Sequence, residues 1–234
     1  MDLSVLPRAG ELSVRVRAER WRPGLGALHS ELFAAGDEGS GAAVALALAL
    51  DAPGAAADGR SLLWVQDRTS LRLTGRPYRP GLPAALRCRV IHVAAATPED
   101  ALFALEEGLR CRELACVIGE IAGNPKALDF TASRRLSLAG QRYGVPLFLV
   151  RLDAARDLSS ARMRWQVAAA PSPPPRWNAA APGAPSWRAE LFRARTHPPG
   201  ELILCDDGHV LTAAPPPDHG DLADAAGGRP LAAR

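Results

Sequence analysis

Residues Leu28–Leu50 read LHSELFAAGDEGSGAAVALALAL. Leu28 to Ala34 is the apolar run of a buried strand. Gly36 to Gly41, GDEGSG, is a glycine-rich loop. Ala42 to Leu50 consists of alanine, leucine and one valine, residues that favour or tolerate helix, and Pro53-Gly54 closes it. A strand, a glycine loop and a helix in succession form the setting in which loop amides and a helix N-terminus cradle phosphate groups. A working loop of this kind also needs a lysine on the β/γ phosphates and a Ser/Thr hydroxyl on magnesium. Here Ala42 and Ala43 follow the last glycine, and the chain's sole lysine is Lys126. Asp37 and Glu38 add negative charge where a triphosphate would lie. The loop therefore has the position of a phosphate site without its chemistry. A plainer reading takes Gly36, Gly39 and Gly41 as a tight strand-to-helix turn that needs positive φ.

The elements beyond this stretch repeat its alternation. Ser61–Gln66 (SLLWVQ) is a buried strand, and Asp67 to Pro83 is long and irregular, broken by Gly75, Pro77, Pro80 and Gly81. Arg89–Ala95 is the next strand. Thr97 then caps a helix that has Pro98 at its first position and Glu99 and Asp100 in its first turn. Leu102, Leu105 and Leu109 give that helix one apolar face. Leu114–Ile121 (LACVIGEI) is a third buried strand, with Glu120 near its end, where a magnesium-holding acid often sits. A hydrogen-bonded carboxylate at a strand terminus is the plainer alternative. Leu128–Tyr143 is an amphipathic helix with Gly144 at its C-cap, followed by the strand Val145–Leu152. Such alternation specifies a mostly parallel sheet with helices on both faces.

After Asp153 the pattern changes. Arg162–Ala168, Trp187–Arg195 and Glu201–Cys205 alternate apolar and polar residues as half-buried antiparallel strands do. The expected organisation is an N-terminal arm (1–26), a core (27–170), a proline-rich linker (171–185), a C-terminal β-hairpin packing on the core sheet (186–212) and a disordered tail (213–234).

Composition limits the function. Of 234 residues 47% are hydrophobic and 23% charged, and the net charge is +3, low for a domain that grips phosphates by charge alone. Cys88, Cys111, Cys116 and Cys205 form no CxxC pair, so no structural metal is expected and the chain reads as a reduced cytoplasmic protein. No signal peptide is expected at Met1–Arg22. The most apolar run, Ala42–Leu50, is shorter than the roughly 20 residues that span a bilayer, so no membrane association is expected.

No nucleophile–base constellation stands out among His29, His92, His197, His209, His219 and Ser40, so no catalytic residue is assigned. Lys126 reads as a solvated loop lysine. Arg134, Arg135 and Arg142 crowd one helix, either as a solvated face or as contacts to DNA phosphates or an acidic partner. Trp187, Arg188 and Arg193 belong to an arginine–aromatic mix with Arg162, Arg164, Trp165, Arg176, Trp177 and Phe192 that suits either a core or an interface.

Several runs resemble one family. Ala27–Ala34 (ALHSELFA), Arg60–Arg68 (RSLLWVQDR), Thr97–Cys111 (TPEDALFALEEGLRC), Leu114–Ile121 and Leu128–Gly140 (LDFTASRRLSLAG) are similar to the inducible mutagenesis protein A (ImuA) family. So are Trp187–Arg195 (WRAELFRAR) and Glu201–Asp206 (ELILCD). The resemblance runs from Ala27 to Leu211 and leaves out the arm and the tail. It implies a RecA-like α/β fold without a complete nucleotide site, RecA/SulA-like accessory status and no cofactor. Gly36, Gly39, Ser40 and Gly41 would be a vestigial phosphate loop and Glu120 a vestigial acid. The implied role is that of a non-catalytic adaptor in damage-inducible (SOS), error-prone translesion synthesis. Its implied partners are a Y-family-like polymerase homologue of the ImuB type, an error-prone replicative-type DNA polymerase and RecA, with weak DNA binding in addition. Two alternatives stand beside it: a DNA-binding modulator of RecA recombination, and an ATPase with an atypical phosphate loop.

Overall fold

The structure, a computed structural model, describes residues 28–52, 55, 58–175, 178, 180–195, 197–207 and 210–214. The expected arm and nearly all of the expected tail lie outside the described residues, as do Arg176, Trp177, His209 and His219.

The strands are β1 (His29–Ala34), β2 (Ser61–Gln66), β3 (Val90–Ala94), β4 (Leu114–Ala122), β5 (Leu147–Leu152), β6 (Met163–Ala169), β7 (Ser186–Ala194), β8 (Gly200–Asp207) and β9 (Val210–Ala214). They form one sheet in the order β3-β2-β4-β5-β1-β6-β7-β8-β9. The pairings from β3 across to β6 are parallel. Those from β6 to β9 are antiparallel. The architecture is α/β and consistent with a RecA-like domain that carries an antiparallel extension.

The helices are α1 (Ser40–Leu50), α2 (Arg68–Thr74), α3 (Pro98–Arg110) and α4 (Phe130–Tyr143). Their ends follow local chemistry. Thr97 Oγ1 accepts the Asp100 N–H at the start of α3, and Asp129 accepts the Ala132 N–H at the start of α4. Gly144, at φ 73°, ends α4 in the left-handed region that glycine adopts without cost. Two apolar layers result. On one face α1, apolar on every side, packs with Leu32, Ile118, Val150, Trp165, Trp187 and Leu204. On the other, α3 and α4 bury Leu105, Leu109 and Leu136 against Val65, Val117, Leu147 and Leu149.

Three expectations need correction. The stretch 67–83 contains α2, because Asp67 caps it through the Ser70 N–H and Gly75, at φ 74°, closes it. Strand β6 is antiparallel only to β7: it runs parallel to β1 and extends the parallel part of the sheet, with Met163, Arg164 and Trp165 buried. Strands β6 and β7, which flank the expected linker at 171–185, pair directly with each other in the same sheet. The hairpin gains a third strand, β9, which pairs with β8 and runs to Ala214, past the expected boundary at 212.

Candidate functional site

The Gly36–Gly41 loop leaves the end of β1 and enters α1 at Ser40, whose side chain is buried. None of its glycines has positive φ; the positive-φ glycines among the described residues are Gly75, Gly123 and Gly144. Two of its glycines make room instead, Gly36 and Gly41; nothing lies within 4 Å of where a Cβ on Gly39 would stand. A Cβ on Gly36 would lie 2.5 Å from Asp153 Oδ2, and one on Gly41 would lie 2.6 Å from Val150 Cγ1 and 2.9 Å from the Ala34 Cβ. Gly41 thus lets the first turn of α1 sit directly on β1 and β5.

Asp153 fills the neighbourhood of Gly36. Its backbone lies in the left-handed region at φ 50°, an uncommon conformation that aspartate tolerates better than most residues. Its N–H donates to Ala34 O at 3.0 Å, and its carboxylate accepts the Gly36 N–H at 2.8 Å. The amide that would greet an incoming anion is therefore bound to the chain's own carboxylate. Glu38 turns toward β6, where its Oε2 accepts the Ala169 N–H at 3.3 Å. Asp37 is exposed. The loop end thus gathers carboxylates, with alanines at positions 42 and 43.

Glu120 lies in β4 on the α1 face and is 1% exposed. The Trp64 indole N–H donates to its Oε1 at 2.6 Å, and the Thr74 hydroxyl donates to its Oε2 at 2.9 Å. Burial pushes its carboxyl above the ordinary glutamate value, against the pull of these hydrogen bonds. Both oxygens already have protein partners, so the acid is held as part of the α2–β2–β4 packing.

The arginines separate into distinct settings. Arg135 pairs with Glu106 at 3.5 Å, and Arg142 lies over the Tyr143 ring. Arg188 is exposed and pairs with Glu201 across β7 and β8 at 3.1 Å. Trp187, read as a candidate partner contact, is 7% exposed: it points into the α1-side layer with Ala189 and Leu191, as the alternation of β7 dictates. Arg134 and Arg193 come together. With Arg162 and Arg195 they line a groove of about 440 Å³ between α4 and the adjoining ends of β6 and β7. Sequence reasoning did not place Arg162, Arg195, Phe130 and Leu138 in this groove. The available signal was that Phe130 and Leu138 fall off the buried face of α4 at four-residue steps from Arg134.

The groove floor rests on a buried polar network. Glu31, fully buried in β1, accepts from Arg164 Nε at 2.7 Å and from the Ser159 hydroxyl at 2.6 Å. Arg151, 1% exposed, donates to Gly123 O at 3.1 Å and lies 3.4 Å from Asp157. The Phe33 ring sits beneath both guanidinium groups. His29 Nδ1 lies 2.7 Å from Ser137 Oγ, which in turn meets Ser160 Oγ at 2.6 Å. Burial lowers the His29 pKa to about 4, so its imidazole is neutral near pH 7. Ser137, Ser159 and Ser160 thus tie the groove to the sheet.

These features define a class: an α/β domain, consistent with a RecA-like fold, whose β1–α1 glycine loop gathers carboxylates and is followed by alanines at positions 42 and 43. The comparisons with known proteins then narrow it. No protein-family profile matches the chain. It is 35% identical over 156 residues to Protein ImuA of Caulobacter vibrioides, in strains NA1000/CB15N and CB 15 alike; the match covers 62% of this chain and 60% of each relative. That likeness agrees with the resemblance to the ImuA family carried by the sequence motifs, over somewhat more than half of each relative's length. Among the described residues no helix is long and apolar enough to cross a membrane.

Proposed function

We propose that the chain is a non-catalytic, RecA-like adaptor in damage-inducible, error-prone translesion DNA synthesis. It brings a Y-family-like polymerase homologue together with an error-prone replicative-type polymerase and RecA, in the cytoplasm. The observation that carries this reading is the Asp153 carboxylate on the Gly36 amide. A triphosphate entering there would displace an internal anion and meet Asp37 and Glu38 without a cation to offset them. Glu120, enclosed by Trp64 and Thr74, is poorly disposed to hold magnesium. A RecA-like body without this chemistry retains its shape and surfaces, which is what an adaptor uses.

The test has two arms. Co-purification of the full chain with the polymerase homologue and with RecA is expected to recover a complex without added nucleotide. Isothermal titration with magnesium-ATP is expected to show no binding and no turnover. Turnover abolished by Glu120→Gln would overturn the reading in favour of an ATPase, and failure to recover either partner would remove the adaptor role.

A further inference from the structure

The groove between α4 and the ends of β6 and β7 has a chemistry that the loop end lacks. Arg134, Arg162, Arg193 and Arg195 line it, and among the described residues no Asp or Glu does. Several other surface arginines are engaged: Arg110 with Glu106 and Glu107, Arg156 with Glu190, Arg188 with Glu201. The four groove arginines have no ion pair or hydrogen bond from their side chains among the described residues. Like charges gathered without counter-charges repel one another, and an incoming anion relieves that repulsion.

The groove is also apolar along one wall. Phe130 and Leu138 flank Arg134 at successive turns of α4, and they are 48% and 53% exposed. Large side chains left in water on either side of a guanidinium mark an interface that takes up both apolar groups and charge. The floor is set in place by the Ser137 and Ser159 hydrogen bonds to buried His29 and Glu31, so the walls are held before a ligand arrives.

We propose that this groove docks an acidic segment of a partner protein, one whose aspartates or glutamates alternate with leucine or phenylalanine. Nucleic acid is the weaker fit. The net charge is only +3, and among the described residues Phe130 is the sole aromatic lining the groove, where a strand of bases calls for successive stacking platforms. An acidic, leucine-bearing segment uses the arginines and the exposed Phe130 and Leu138 together. This inference rests on the adaptor reading and gives one of its contacts a chemistry.

Fluorescence anisotropy of the full chain with a labelled peptide of alternating aspartate and leucine tests it. Binding is expected, weakening as salt rises. Arg134→Ala with Arg193→Ala should weaken it by about tenfold or more, and Leu138→Ser by about threefold or more. Arg135→Ala with Arg142→Ala removes the same amount of charge from α4 outside the groove and should leave affinity within about twofold. Equal losses in the two double variants, or no peptide binding, would overturn the proposal. So would tighter binding of an oligothymidine strand, abolished by the groove variant, which would assign the groove to nucleic acid. Loss of peptide binding is read separately from the co-purification test. A complex that forms while the peptide fails sinks only the groove, and a bound peptide without any complex sinks only the adaptor.

Discussion

The two faces of the sheet at β1, β5 and β6 solve one problem by opposite means. Toward α1, Leu32, Val150, Met163 and Trp165 meet the helix as an ordinary apolar layer. Toward the other side, the same strands present Glu31, Phe33, Arg151 and Arg164, covered by the segment 153–162 in place of a helix. A loop brings backbone and hydroxyl groups that must be satisfied, and buried ions can satisfy them if every partner is in reach. The difference shows that burial here is not confined to apolar residues. Where the cover is a loop, the interior becomes polar, and the groove opens beside it.

Removing one member of the ionic set tests this contrast most strongly. Arg164→Leu leaves the Glu31 carboxylate buried beside Ser159 and should cost about 3–5 kcal/mol in denaturant unfolding, while Glu31→Leu with Arg164→Leu should recover most of it. Arg188→Ala, which breaks an exposed pair, should cost less than about 1 kcal/mol. Equal losses for Arg164→Leu and Arg188→Ala would break the comparison.

The apolar face supplies the next test. Trp187→Ala should cost about 3 kcal/mol, near the low end for a buried aromatic truncation, and should leave partner affinity per folded molecule unchanged. Lost binding at unchanged stability would return Trp187 to the interface alternative that its motif left open.

The third test is pH. The folded His29 pKa is lowered to about 4 from 6.5, so between those values the unfolded chain holds a proton that the folded one refuses. Its contribution is complete above pH 6.5, falls as pH drops toward 4 and is constant below. The amplitude is on the order of 3 kcal/mol. Urea midpoints measured across that window should decline on acidification in the parent protein. His29→Gln should flatten the decline; an unchanged slope would show that His29 is not the group responsible. Glu120, whose carboxyl is shifted upward, has the opposite sign and opposes the loss.

Much of the parallel architecture was legible because its signals are local. The run Ser61–Gln66 forms β2 within those bounds, and Thr97, Pro98 and Gly144 end their helices as their side chains or backbones require. The loop's position was legible as well, but its use of glycine was not: steric room against Asp153 and Val150 depends on strands more than a hundred residues away. For the same reason the pair Glu31–Arg164, 133 residues apart in the chain, left no trace in either neighbourhood. Helix α2 was hidden in a proline- and glycine-dense stretch, since a seven-residue helix set by one aspartate cap shows too few turns for periodicity. Trp187 and Arg193 stood in one motif at an even spacing that alternation alone would place on one face; the register shift in the β6–β7 pairing past Leu191 leaves the first inward and sends the second to the groove.

The hydrogen bond from the Gly36 amide to Asp153 also bears on whether this loop could take on phosphate chemistry. A lysine placed at position 42 would face a slot whose first amide is already claimed, beside an alanine at 43 that offers magnesium nothing. Replacing Asp153 alone would free that amide and also remove the tie between the end of β5 and the loop. Each single change is therefore unrewarded, and phosphate chemistry here requires several steps at once.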